Sequence, residues 1–216
     1  MTAMRTSLQP PPPPVDDTAS SRSACSTCGG AAQAPAPAPA PARPTPWVGH
    51  HQKELKAALA AQKQLLMAKK AELTINDDTT KANLKKFFGS DSESTRQEIL
   101  ARVDREITLT NVIAQNPAAH FRDGSGEDYD PDGYAYVIPE DKTHKIYINP
   151  KFHSAKLTGE DSRAGTLGHE MSHFEDIAGT DDKMYGREDS LQLAKDKPED
   201  AMLNADSFEY YLEGSP

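Results

Sequence analysis

The sequence predicts an α+β domain, mostly helical with a small β-hairpin, preceded by a long tail without regular structure. Three observations carry this. The 216-residue chain holds 17 prolines, and 11 of them fall within the first 46 residues, in Pro10–Pro14 and in the Ala-Pro alternation from Ala34 to Pro46. Such a stretch has almost nothing apolar to bury and stays extended and solvated. Beyond it, leucines and isoleucines recur at helical spacing, and one pair of β-branched and aromatic runs is split by a polar turn. Residues 1–46 are therefore read as a disordered Pro/Ala-rich tail. Residues 47–216 are read as one domain, large enough for an ordinary core.

The elements follow in order. His50 to Leu73 is rich in Ala, Lys, Leu and Gln, all strong helix formers, with Leu55, Leu59, Leu66 and Leu73 on one face. A polar turn at Asn76–Thr80 leads into a short helix ending at Phe87-Phe88-Gly89. Ser94-Thr95-Arg96-Gln97 fits a capping box, opening a helix that turns Ile99, Val103, Ile107 and Ile113 inward. Tyr134–Ile138 and Lys145–Ile148 read as the hairpin. The Asp-rich loop from Asp123 to Asp132 lacks the twelve-residue spacing of a calcium loop and is read as a plain loop. Asp161 to Ile177 is helical again, with Gly179 placed to stop it. Another helix is expected near Arg187–Lys195, and a last one from about Pro198 to Leu212.

The formal net charge is −9. From Glu160 to Pro216 there are 15 Asp or Glu against 5 Lys or Arg, which repels nucleic acid and anionic membrane surfaces. No apolar run has the length of a membrane span, and the start "MTAMRTSLQPPPPP" has no apolar signal core. Both cysteines, Cys25 and Cys28, lie in the tail, so the domain holds no disulfide. A lone CxxC lacks the two further ligands a zinc site needs.

The chemistry concentrates in "GTLGHEMSHFEDIAGTDDKMYG", Gly165 to Gly186. His169-Glu170-Met171-Ser172-His173 is HExxH on a predicted helix. Residues four apart share a helical face, so both imidazoles can bind one Zn²⁺ from a rigid platform. Glu170 stands beside them, placed to take a proton from a water that the metal acidifies and to pass it to a leaving amine. HExxH alone is a modest signal, since a surface His pair with a solvated Glu reads the same way. A catalytic zinc also needs a third protein ligand, and Thr180, Asp181, Asp182 and Tyr185 follow within reach. His50, His51, His120, His144 and His153 show no ligand spacing among themselves and are not expected to bind the metal; His50 and His51 are read as polar surface.

"GTDDKMYG" matches the GTxDxxYG pattern that follows HExxH in aspzincin metallopeptidases, the deuterolysin and peptidyl-Lys metalloendopeptidase group. The chain resembles that family densely from Gly133 to Glu213 and thinly from His50 to Asn116. The resemblance implies a zincin-like domain binding one zinc ion through His169, His173 and Asp182. It makes Glu170 the general base and Tyr185 a donor to the oxyanion, a role a phenol beside a metal can fill. "NADSFEYYLE", Asn204 to Glu213, resembles the C-terminal helix of the peptidyl-Lys branch. There Asp206 and Glu209 would form an acidic pocket for the lysine after the cleaved bond. Two carboxylates at i and i+3 share a helical face, and burying them together is costly without a cation.

The expectation is a monomeric zinc endopeptidase acting on lysine-containing proteins or peptides, with no nucleic-acid or membrane partner. Family members are secreted and disulfide-bonded, whereas this domain has no cysteine. Export without a conventional signal, as an effector or toxin, is therefore the expected route, with the cytoplasm as the alternative. Two other readings stay open. One is a broader deuterolysin-like peptidase. The other is an inactive zinc fold whose Pro-rich tail binds partners through polyproline II structure.

Overall fold

A computed structural model describes residues 46–126 and 130–214; the expected tail, with its CxxC, lies outside them. The first helix, α1, covers Pro46–Ile75 and begins four residues before the expected His50. Leu55, Leu59, Leu66 and Leu73 are all buried, as their spacing predicts. Helix α2, Asp78–Phe88, is opened by Asp77, whose side chain accepts from the Thr80 amide at 2.8 Å. It closes at Gly89 with φ of 71°. A Cβ there would stand 2.0 Å from the Ala194 carbonyl oxygen, so the position demands glycine for space as well as conformation.

Helix α3, Glu93–Gln115, corrects one expectation. Its cap is Ser92, not Ser94: the extended backbone of Ser92 lets its hydroxyl accept from the Thr95 amide, and Ser94 already lies in the first turn. A single turn, α4 (Pro117–His120), leads into β1 (Phe121–Asp123). The hairpin pairs β2 (Ala135–Val137) antiparallel with β3 (Ile146–Ile148) as predicted. Strand β1, which the sequence reading did not foresee, adds in parallel to β3 and gives the order β1-β3-β2. A 3₁₀ turn at Pro150–Ser154 follows.

Helix α5, Arg163–His173, ends four residues short of the expected Ile177, because Phe174 leaves the helical region at ψ 129°. Helix α6 covers Arg187–Asp196. The single last helix expected from Pro198 is two, α7 (Pro198–Met202) and α8 (Ala205–Glu213). Asn204 is extended and breaks them, because its strand-like backbone pairs with Asp181 instead. The described residues are mostly helical, with one three-stranded sheet, so the α+β class holds. None of their helices is long and apolar enough to cross a membrane.

Two apolar clusters carry the packing. One joins α1, α3, the sheet and α5 through Leu55, Ile113, Phe121, Ile146, Phe152, Leu167 and Phe174. The other joins α1, α2, α3 and α8 through Leu66, Phe87, Phe88, Val103, Phe208 and Tyr211. Tyr211 meets both phenylalanine rings edge-on at 6.0 and 5.2 Å.

Beneath α5 lies a polar inclusion. Gln62 Nε2 donates to Glu106 Oε1 at 2.7 Å and contacts Met171 Sδ at 3.3 Å. Thr110 donates to the Glu106 carbonyl at 2.7 Å. Glu106 is fully buried, and its Oε2 has no partner among the described residues. Desolvation drives its carboxyl well above the usual range, outweighing the Gln62 hydrogen bond.

Two outcomes follow. Gly89→Ala should cost at least about 2 kcal/mol, since left-handed strain and a backbone clash act together; chemical denaturation measures it. Burial raises the Glu106 carboxyl well above the value near 4.5 that it has when unfolded, so its contribution to stability falls as pH rises above that value. Glu106→Gln keeps the shape without the titration. It should melt higher than wild type at about pH 8 and show little difference at about pH 4, read from paired thermal melts.

Candidate active site

Helix α5 is anchored at both ends of its buried length. Ser162 caps it, accepting from the Gly165 amide at 3.0 Å, and Glu213 of α8 accepts from the Ser162 amide and hydroxyl at 3.0 and 2.8 Å. Burial, and then the nearby charge of Glu209, raise the Glu213 carboxyl to about 7. From Ala164 to His173 every residue of the helix is buried. His169 and His173 thus stand on a rigid segment, their rings 4.9 Å apart and nearly perpendicular.

Both rings present Nε2 to one oxygen. Asp182 Oδ1 lies 3.1 Å from His169 Nε2 and 3.4 Å from His173 Nε2. The other nitrogens are held from behind. His173 Nδ1 faces the Thr180 carbonyl at 3.0 Å, which assigns its proton to that side and leaves the Nε2 lone pair toward Asp182. His169 Nδ1 sits between Asp206 Oδ1 at 2.9 Å and Glu209 Oε2 at 3.1 Å, although neither oxygen is aligned for a hydrogen bond. Burial alone would push the His169 imidazolium down. Asp182, Asp206 and Glu209 outweigh it and raise it well above the usual range. The same imidazoles hold Asp182 far below the carboxylate range against its partial burial.

Two imidazole nitrogens and one carboxylate oxygen, all within 4.8 Å of one another, suit a tetrahedral zinc with one position left open. The imidazoles are oriented from behind by a carbonyl and by carboxylates, as metal-binding histidines require. The residues present fit the ion.

Glu170 and His173 line a cleft of about 190 Å³ together with Ala135, Tyr136 and Val137 of β2 and with Thr180, Asp181 and Asp182. Burial raises the Glu170 carboxyl; His169 and His173 oppose that, and the Asp182 and Glu209 charges add to it. A larger hollow of about 630 Å³ lies between α2 and α6, but its lining of alanines, lysines, glycine and leucine carries no acid or histidine to bind a metal. The chemistry is in the smaller one.

The structure therefore brings His169, His173, Asp182, Asp206 and Glu209 into one cluster, with Glu170 on the cleft wall. Tyr185 stands at the edge, 65% exposed. What burial its hydroxyl has, together with the adjacent Asp182 carboxylate, lifts it above the ordinary tyrosine value. Asp206 and Glu209 are on one face of α8 as their spacing predicts, yet both are buried and turned toward His169. Asp206 is doubly engaged, since its Oδ2 also accepts the Gly186 amide at 2.6 Å.

The positioning roles of two residues that the sequence named, Thr180 and Asn204, were not foreseen. Thr180 supplies the carbonyl behind His173, and its hydroxyl meets Ser172 Oγ at 2.6 Å. Asn204 accepts the Lys183 and Met184 amides with one oxygen, and its amide group donates to Ser190 and Ser207. The only signal for it was an Asn placed directly before a helix.

Comparison with known proteins places the chain among peptidases. A family model described as lysine-specific metallo-endopeptidase matches residues 73–213. An extracellular protease of Aeromonas hydrophila is 48% identical over 83 residues, covering 38% of this chain and 24% of that protein. A peptidyl-Lys metalloendopeptidase of Armillaria mellea is 46% identical over 85 residues, covering 39% and 24%. The chain thus aligns with about a quarter of the length of these curated relatives. A zinc peptidase from Grifola frondosa shares the fold with a TM-score of 0.65 and 29% identity, over 76% of this chain and 94% of that one. The family match spans well over half of the sequence, residues 73–213 of 216: the chain belongs to the aspzincin family of zinc-dependent metallopeptidases.

Proposed function

We propose that the chain is a zinc endopeptidase that cleaves on the N-terminal side of lysine. The observation that carries this is the convergence of His169, His173 and Asp182 on one point beside the Glu170-lined cleft. These three side chains would hold the ion. Zinc, when bound, polarises the scissile carbonyl and brings the acidity of water toward neutrality. Glu170, its basicity raised by burial, takes the proton of the attacking water and delivers it to the leaving amine. The Tyr185 hydroxyl, kept protonated beside Asp182, donates to the oxygen that becomes negative. Strand β2 has β3 on one side only and lines the cleft with its residues, so an extended substrate can add along its open edge.

Lysine preference is supported by the lysine-specific description of the family and by the name of the Armillaria relative. The buried carboxylates supply the charge for it. Asp206 has both oxygens engaged and acts chiefly by orienting His169 and Gly186. Glu209 is the freer of the two and is assigned the ammonium. One observation favours a broader peptidase: neither carboxylate is among the residues lining the cleft.

Glu170→Ala should bind zinc as the parent does while losing about 10²–10⁴-fold in turnover, the usual worth of a general base. Unchanged turnover sinks the mechanism. For specificity, unfolded proteins are digested and every new terminus is mapped by mass spectrometry. Termini beginning with lysine should dominate for the parent and become scattered for Glu209→Gln, whereas Asp206→Asn should slow cleavage everywhere. Scattered termini from the parent itself would leave a peptidase without the lysine pocket.

A further inference from the structure

A second cluster of metal-ligating side chains lies at the other end of α5. The early turns of α1 carry His51 and Glu54, three residues apart on one face, and the 3₁₀ turn after β3 carries His153. Both ring nitrogens aim at the same oxygen. Glu54 Oε2 is 2.7 Å from His153 Nδ1 and 3.4 Å from His51 Nδ1. The two rings stack at 4.1 Å with 21° between their planes. The sequence reading placed His51 on a plain polar surface, and the tertiary fold brings it against a histidine about 100 residues away.

Three features suit this cluster to a divalent metal. Its ligand atoms, two imidazole nitrogens and a carboxylate oxygen, lie within 4.8 Å of one another. Glu54 is ionised and oriented: Arg163, the first residue of α5, pairs with its other oxygen, leaving Oε2 directed at the rings. Burial would raise the Glu54 carboxyl, but His153 and Arg163 outweigh it and hold it low. Asp123, at the end of β1, adds negative charge close by; hydrogen bonds from Ser125 and then the two imidazoles keep its carboxyl low. The side chains of His51 and His153 are 30% and 26% exposed, so water can complete the coordination shell. A metal must lie near the plane of each ring, so the stacked pair has to splay by rotation of one ring, which that exposure permits.

We infer that His51, Glu54 and His153 form a second metal site, separate from the catalytic one, that takes a late divalent transition ion such as Zn²⁺ or Ni²⁺. Imidazole with carboxylate is a donor set such ions favour. Arg163, whose side chain pairs with Glu54, precedes His169 by six residues of α5, about 9 Å of helix rise. A metal there ties the start of α1, the turn after β3 and the start of α5 together, in the place where a hydrogen bond and an ion pair now do so.

The test counts metal on the full chain. Protein stripped with chelator is loaded with Zn²⁺ or Ni²⁺, desalted and analysed for metal per chain, and thermal melts are recorded with and without the ion. The parent should bind two ions, His153→Gln and His51→Gln one each, and a His169→Gln/His173→Gln double variant one. In that double variant added metal should still raise Tm, and adding His153→Gln should abolish the rise. One ion on the parent, or an unchanged count in both His153→Gln and His51→Gln, overturns the inference. The two single variants decide the matter even where the double variant does not fold. The count is independent of turnover, so failure of the proposed peptidase activity and failure of this site give different results.

Discussion

The close apposition of α5 and α8 is the contact on which the site depends, and it exists because α5 lacks side chains where α8 presses on it. A Cβ on Gly165 would stand 2.1 Å from Glu213 Oε1 and 2.8 Å from Glu209 Oε1, and one on Gly168 would stand 2.6 Å from Leu212 Cδ1. At that separation a column of three carboxylates, Asp206, Glu209 and Glu213, faces the helix that carries the histidines. They have two kinds of counterpart. Glu213 takes the free amides at the start of α5, where the helix end is electropositive. Glu209 and Asp206 take the imidazole of His169. Burying several acids side by side is ordinarily prohibitive, and here the helix N-terminus and the imidazole are what make it tolerable.

The loop that brings the third ligand depends on the same helix. Asp182 has no regular element of its own. Its neighbour Asp181 pairs with the backbone on either side of Asn204, donating to the Leu203 carbonyl and accepting the Ala205 amide. The Asn204 side chain then holds the amides of Lys183 and Met184, and Asp206 holds that of Gly186. The loop is therefore fastened before and after Asp182 by residues at the start of α8. The break between α7 and α8 creates those fastening groups, because a continuous helix would have used the backbone of residues 203–205 internally.

This explains what could be read from sequence and what could not. Helix α1 and the buried faces of α2 and α3 repeat apolar residues over many turns, so their period was visible. HExxH is local, and the shared face of its two histidines follows from helix spacing alone. Strand β1 is three residues long and owes its existence to a parallel pairing with β3, 25 positions on in register; no local pattern encodes that. The stop at Phe174 and the break at Asn204 are tertiary too, since in both places the backbone finds a better partner outside the helix. Ser92 outranked Ser94 as a cap through backbone conformation, which residue type alone does not fix. The sequence likewise suggested that Asp206 and Glu209 share a face, but not that His169 would be the group they face.

The acidic surplus of the C-terminal quarter therefore has two separate origins. Asp181, Glu188, Asp189 and Glu199 are exposed or half-buried, and their charges are solvated. Glu170, Asp206 and Glu209 are buried within reach of one metal-binding histidine or the cleft beside it. Solvated acids contribute little beyond solubility and long-range attraction for cations. The buried acids act at close range in a medium where charge is poorly screened. They raise the basicity of the imidazoles that would hold zinc, and the raised carboxyl of Glu170 stands in the same field. A cationic side chain entering that region would meet two buried carboxylates, Asp206 and Glu209, that share a single imidazole as counterpart. In the proposed reading, lysine recognition would draw on the same charges that face His169, with Asp206 and Glu209, three residues apart, dividing the two tasks.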